Sequence, residues 1–319
     1  MRPAQILLAT VASLLAAACG TLTVMPTRSV ELYVTNELPG SITVYAASAT
    51  GNIAPVRRIS GAATLLDAPM YLALDGAGNL HVANVGVNTV SVYAAASNGD
   101  VPPMRVIHGV APGGLGDLVV DGAGNMYVSD TENDTIRVYS PGATGNVPPS
   151  RTISGADTGL SRPVGLALDG VGTLYVLNRG FMALPSLRAY APGANGNAAP
   201  IQTIAGICTG LQVPRNLAVD SEGKLYVTNH HNREEAITVY AAGASGNASP
   251  IRTIRRTDPA TSFVSLGDVA VDLAGYVYVT EAGGVAVFSP TANGLVEPIR
   301  MIVGGATTLT NPNGVALWP

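Results

Sequence analysis

Charge is what this chain has least of. Only 12% of its 319 residues are Asp, Glu, Lys or Arg, about half the share usual in a soluble domain. The formal net charge of -4 comes without a basic stripe or a block of lysines, so the electrostatic footprint that nucleic-acid binding requires is missing. Cysteine is nearly absent, with Cys19 and Cys208 the only two. Cys208 stands where other copies of a repeat described below have Ala63 and Asp157, so nothing in the pattern demands a thiol there and packing is its expected role. Long apolar runs are absent too: residues 6–18 make the longest candidate, too short to span a bilayer. No G-x-S-x-G, H-E-x-x-H, P-loop, EF-hand or Rossmann fingerprint occurs.

The short apolar run has its own reading. Arg2 precedes it and Ala16, Ala17, Ala18 and Cys19 close it with small residues, the layout of a cleaved signal peptide over residues 1–18. The stretch L-L-A-A-A-C also resembles a bacterial lipoprotein signal, which implies lipidation of Cys19 at the head of a linker over residues 19–30. Ordinary signal cleavage beside an incidental cysteine is the alternative. Either way the mature chain is expected outside the cytoplasm, as a cell-envelope lipoprotein or a secreted or periplasmic protein. Any membrane contact would run through the lipid anchor.

Glycine and proline, 37 and 22 residues, are plentiful and regularly placed. Residues 213–254 contain four short runs of strand-like alternation, each bounded by Gly, Asp, Asn or Pro, the pattern of four antiparallel strands joined by tight turns. The unit recurs along the chain. Its first-strand aspartate returns as Asp75, Asp121, Asp169, Asp220 and Asp272, spaced 46, 48, 51 and 52 residues apart, a propeller-blade period. The N-terminal copy lacks a first strand, and the chain ends with that strand alone, at residues 311–317. Joining the two ends makes a shared blade. The expectation is therefore an all-β, six-bladed β-propeller of four-stranded antiparallel blades over residues 31–319, its ring closed by the C-terminal strand.

Most repeated columns have structural jobs. The Asp-x-x-Gly turns pair a side-chain acceptor with a residue tolerant of positive φ. Tyr33, Tyr127, Tyr175, Tyr226 and Tyr278 share a second-strand column, which His81 completes; Tyr45, Tyr93, Tyr139, Tyr190, Tyr240 and Phe288 share a third-strand column, and both suit blade core. A fourth-strand column of Arg57, Arg105, Arg151, Arg252 and Arg300 reads as charge that guards the outer edges against pairing.

The motif P-x-G-L-A-L-D-x-x-G-x-L-Y-V-x-N at residues 163–178 resembles the NHL-repeat propellers and, more distantly, the gluconolactonase-like ones. That resemblance implies a six-bladed fold, but its members include lyases, lactonases, receptor sensor domains and pure interaction modules, so it selects no function. The lactonases place metal-binding Asn or Asp before the Gly of P-N-G and P-D-G motifs. Only Asn313 matches, because the same column holds Met70, Gly116, Val164, Arg215 and Gly267.

Departures from the repeat gather where propeller loops ring the channel mouth, which makes that face the candidate binding surface. Tyr71, Asp117, Asn216 and Asp268 begin the innermost strands, with Arg162, Arg215 and Asn313 beside them. A ring of Asp117, Asn216, Asp268 and Asn313 oxygens would suit a hard divalent cation such as Ca2+, although hydrogen bonding to loops or channel water needs no cofactor at all. His230 and His231 sit in an irregular loop with Glu234 and Glu235. Adjacent histidines on an extended strand end point apart and hold one metal poorly. Phe181, Met182 and Leu184 place apolar side chains in what should be a polar turn, a candidate partner contact. The expected function is an extracytoplasmic binding or scaffold module, monomeric, taking a protein or small ligand at the mouth. A metal-dependent lactonase or lyase and a carbohydrate-binding surface are the alternatives.

Overall fold

The computed structural model describes residues 30–181, 183–230, 235–256 and 265–318. Six sheets form, each built on the four antiparallel strands of one blade, one of them extended by a short parallel fifth strand from the next blade, and three short 3-10 turns are the only helices among the described residues. Blade 1 is the shared one: Pro312–Trp318 pairs antiparallel with Glu31–Asn36, setting Leu32 opposite Leu317 and Val34 opposite Val315. The other innermost strands are Pro69–Leu74, Leu115–Val120, Pro163–Leu168, Pro214–Val219 and Val269–Val271, in blades 2 to 6.

Alternation along each strand gives every blade two apolar faces, so the core is a set of layers between blades. One such layer joins Tyr33, Ile42, Val44 and Ile59 of blade 1 to Leu72, Leu80, Val82 and Tyr93 of blade 2. All ten tyrosines of the two repeated columns are buried, each contributing roughly 1.5–3 kcal/mol through apolar area. Their hydroxyls are matched as burial requires. Tyr139, Tyr190 and Tyr240 donate to the carbonyls of Val110, Thr158 and Thr209 at 3.0, 2.7 and 2.6 Å, in the connection that leads into their own blade. Phe288 fills the same position in blade 6, which shows that the ring alone fits. Tyr190→Phe is accordingly expected to cost only about 1 kcal/mol in chemical denaturation, and a loss several times larger would mean that the hydroxyl organises the whole connection.

The aspartate column behaves as turn chemistry predicts. Asp75 accepts from the amides of Ala77 and Asn79, both at 2.9 Å, and Asp220 from those of Glu222 and Lys224, also at 2.9 Å. The other oxygen receives the second-strand tyrosine hydroxyl, as in Tyr226 to Asp220 at 3.0 Å.

The outer edges are protected differently from the expectation. Gly51, Gly99, Gly145, Gly196 and Gly246, in the loops between third and fourth strands, each form a parallel bridge to the outer strand of the preceding blade. In blade 6 the contact lengthens into Gly294–Leu295 against Arg252–Arg255. All six glycines have φ between 62° and 79°, a conformation that side chains resist. The neighbouring loop thus covers the edge, and the arginines act as clamps beneath it. Arg252 donates to the Tyr226 hydroxyl at 3.0 Å within its own blade and to the Pro290 carbonyl at 2.6 Å in the next; Arg151 repeats this with Tyr127 and Ala194.

A third column ties blades together on the opposite side. The last residue of each second strand is Asn36, Asn84, Asp130, Asn178 or Asn229, buried, with its oxygen accepting an amide of the connection leading into its own blade. Blade 6 has Glu281 there, which pairs with Arg256 at 3.1 Å instead. The orphaned amides of Ser265 and Leu266 are taken by Glu235 of blade 5, at 2.9 and 2.5 Å. The irregular loop before blade 5's third strand therefore compensates for a missing asparagine next door.

Candidate functional site

The innermost strands begin at the channel mouth, and their first inward-facing positions run round the ring as Gly314, Tyr71, Asp117, Gly165, Asn216 and Asp268. Asp117 and Asp268 stand three blades apart, on opposite sides of the channel. Each uses both carboxylate oxygens on backbone amides. Asp117 accepts from its neighbour Leu118 and, across the blade boundary, from Leu166, both at 2.8 Å. Asp268 does the same with Val269 at 2.7 Å and Val315 at 3.0 Å. The carboxylates are staples between consecutive innermost strands. Asn216, with a single oxygen, accepts only its neighbour Leu217 at 2.8 Å.

Close approach makes the staples possible. A Cβ on Gly165 would lie 2.7 Å from the Asn216 oxygen, and one on Gly314 would lie 2.6 Å from the Met70 carbonyl. Only glycine fits between successive strands at these two points.

Hydroxyls supply the matching acceptors, and sequence reasoning missed them. The amides of Asp117, Asn216, Asp268 and Gly314 donate to Ser129, Thr228, Thr280 and Thr35 at 2.7, 3.1, 2.8 and 2.7 Å. Three of these hydroxyls pass the bond onward to a carbonyl of the next blade: Met70, Gly267 and Asn313. Their signal was the Thr or Ser just before the buried Asn, Asp or Glu that ends the second strand.

Burial dominates the electrostatics. It pushes Asp117 well above the ordinary carboxylate range, with the Asp268 charge adding to the rise, while the Leu166 and Leu118 amides and Asn216 oppose it. Asp268 is pushed up to about 7, again by burial, against the Val315 and Val269 amides. Burial also raises Tyr71, helped by both carboxylates and opposed by Arg179 and Arg215. Arg179 is lowered, first by burial and then by Arg215 and Arg162, with Tyr71 pulling the other way.

Two cavities result. The channel itself holds about 330 Å³ between the innermost strands, with Asp117, Asn216 and Asp268 in its wall. A second, of about 270 Å³, lies at the mouth and is lined by Tyr71, Arg179, Arg215, Asn216, Asp268 and Asn313. Five of the mouth residues named from sequence thus meet in one pocket, with Asp117 in the channel wall. Arg179 joins them unforeseen. It is the first residue after a second strand, in the loop that sequence singled out for its apolar content instead.

The remaining candidates lie elsewhere. Arg162 has left-handed backbone, φ 50°, pairs with Glu132 at 2.9 Å and stands 6.0 Å over the Phe181 ring. Phe181 and Leu184 are exposed, at 68% and 60%. His230 packs its Nδ1 against Glu235. Cys19, Met182 and His231 lie outside the described residues; Cys208 is exposed and unpaired rather than packed as expected, because it sits in the connection between blades 4 and 5 with its amide on Asn247. No group of three or more His, Cys, Asp or Glu side chains among the described residues is arranged to hold a metal.

Comparison with known proteins adds to the fold. No protein-family model matches this sequence, and neither does any curated protein. Solved structures do match. A protein of unknown function from Bacteroides caccae is similar with a TM-score of 0.61 at 11% identity, covering 91% of this chain and 98% of its own. A chain of a nidogen/laminin complex gives 0.59 at 14%, over 90% and 98%. The periplasmic gluconolactonase of Pseudomonas aeruginosa gives 0.55 at 19%, over 92% and 86%. The likeness is one of fold. Identities this low carry no residue roles, and a shared fold selects no function.

Proposed function

We propose that this chain is an extracytoplasmic, NHL-like propeller that binds a ligand or partner at its channel mouth and performs no metal-dependent chemistry there. The observation that carries this reading is the fate of the two carboxylates. Asp117 and Asp268 would be the strongest ligands of any divalent cation at the mouth, yet all four of their oxygens accept backbone amides and the two residues are 3% and 8% exposed. Calcium takes six to eight oxygens with charge to match its own. Here the acids are held toward their neutral forms by burial, and two guanidinium groups line the pocket above them. A cation fits this set poorly.

Phe181 and Leu184 extend the same face with exposed apolar surface, and they serve as the rim contact for a protein partner. The envelope location rests on the reading of residues 1–19 and the lipid anchor on Cys19.

A metal-dependent lactonase or lyase is the competing reading, compatible with the fold shared with the Pseudomonas enzyme. Elemental analysis of the purified chain decides between them. The binding reading expects no stoichiometric divalent cation and no lactone hydrolysis on adding Ca2+. A stoichiometric cation in the native chain that disappears in Asp117→Asn and Asp268→Asn would sink it.

A further inference from the structure

We propose that the mouth pocket is a receptor for a small organic anion, whose carboxylate or phosphate is taken up by the guanidinium groups of Arg179 and Arg215. This rests on the binding reading of the mouth and specifies its ligand. Seven other arginines use donors inside the protein: Arg57, Arg151, Arg252 and Arg300 clamp tyrosine hydroxyls or neighbouring carbonyls, and Arg137, Arg162 and Arg256 face carboxylates. Arg179 and Arg215 differ. Neither has an acidic partner among the described residues, and Arg179 Nε reaches the Pro214 carbonyl only at 3.5 Å. Both are partly buried and line one concavity.

The carboxylate in the same pocket does not neutralise them. Asp268 directs both oxygens at the amides of Val269 and Val315. Arg162 stands close enough to disfavour the charged form of Arg179, but its own charge is paired with Glu132, so the unpaired positive charge of the pocket is that of Arg179 and Arg215. Like charges gathered round a concave, low-dielectric opening focus their field into it and favour an anion over a cation. Guanidinium also matches carboxylate and phosphate geometry through paired N–H donors, which an ammonium does not. The Tyr71 ring and the amide of Asn216 bound the rest of the space. A volume of about 270 Å³ has room for more than a single ion or water molecule.

Calorimetric titration at low ionic strength in EDTA tests the assignment, with inorganic phosphate and D-gluconate as anionic probes and D-glucose as the neutral counterpart of gluconate. At least one anion is expected to saturate a single site while glucose does not bind. Arg179→Gln and Arg215→Gln are each expected to weaken that anion tenfold or more, whereas Arg58→Gln on an outer strand leaves it unchanged; melting curves establish that the variants fold, and either mouth variant alone suffices. The assignment is overturned if glucose binds as tightly as gluconate, if both mouth variants retain wild-type affinity, or if no anion saturates at tens of millimolar. Binding that emerges only when Ca2+ is added overturns the metal-free reading of the mouth as well, which separates the two failures.

Discussion

Truncation before Asn311 is expected to leave a chain that does not fold as a stable monomer. The missing strand, Pro312–Trp318, is the innermost of blade 1 and forms one wall of the channel. Without it, Leu32, Val34 and Asn36, all 0% exposed, become the open edge of a three-stranded sheet. The burial of Val315 goes with it, at roughly 1.5–3 kcal/mol for a fully buried apolar side chain, and so does the smaller contribution of the partly buried Leu317 and Trp318. Asp268 loses the Val315 amide, Thr35 the Gly314 amide and Thr280 the Asn313 carbonyl, with roughly 1–3 kcal/mol for each buried group left unmatched. Together these rival the whole stability of a typical domain, about 5–15 kcal/mol. Circular dichroism melts and size-exclusion chromatography are expected to show loss of the cooperative transition and association through the exposed edge. A truncated chain that melts with the full-length one would mean that five blades and a fragment suffice.

That closure could be read in advance because a missing strand at one end and a surplus strand at the other are visible as pattern alone. The same holds for every column whose residue answers a local backbone need, such as the Asp75 turn or the Gly99 loop. Partners in another blade were less legible. Arg252 reads in sequence as a charged edge residue, whereas its acceptors are Tyr226 and Pro290; the contact to the next blade recurs with Arg57 and Arg105, but its acceptor is a backbone carbonyl, which no side chain announces. Glu235 is the sharper case. It breaks its own blade's pattern, and only the substitution of Glu281 for asparagine in the next blade explains why.

The mouth shows the limit of reading irregularity as function. Tyr71, Arg215, Asn216, Asp268 and Asn313 depart from the repeat and do meet in a pocket. Asp117 and Asp268 depart from it equally, yet their oxygens hold strands together. In a ring of near-identical blades the innermost strands crowd at the axis, so a change in one blade must be met by a change in the next. The paired glycines Gly165 and Gly314, each one blade beyond a stapling aspartate, record that accommodation. Arg179 and Arg215 have no such counterpart, which is why the search for a ligand narrows to them.

Replacing Asp268 by alanine is expected to destabilise the fold by roughly 3–5 kcal/mol, since it strips acceptors from the amides of Val269 and Val315 at a blade boundary. Asp268→Asn keeps one acceptor and turns an amide N–H toward the other donor, so about half that loss is expected. The effect depends on pH, with a sign opposite to that of a carboxylate in a surface ion pair. Burial raises the folded pKa of Asp268 from 3.8 to about 7, so between those values the folded chain holds the proton more tightly than the unfolded one. Fewer protons bound on unfolding makes stability fall as pH rises. The contribution is fully present below the unfolded value and lost as pH climbs through the folded one, and Asp117, also raised, adds in the same direction. Urea denaturation should therefore find the Asp268→Ala penalty larger at about pH 5 than at about pH 8. The reverse order would mean that the two amides outweigh burial and hold the carboxylate ionised, which would place a fixed negative charge beneath Arg179 and Arg215 and weaken the case for an anion between them.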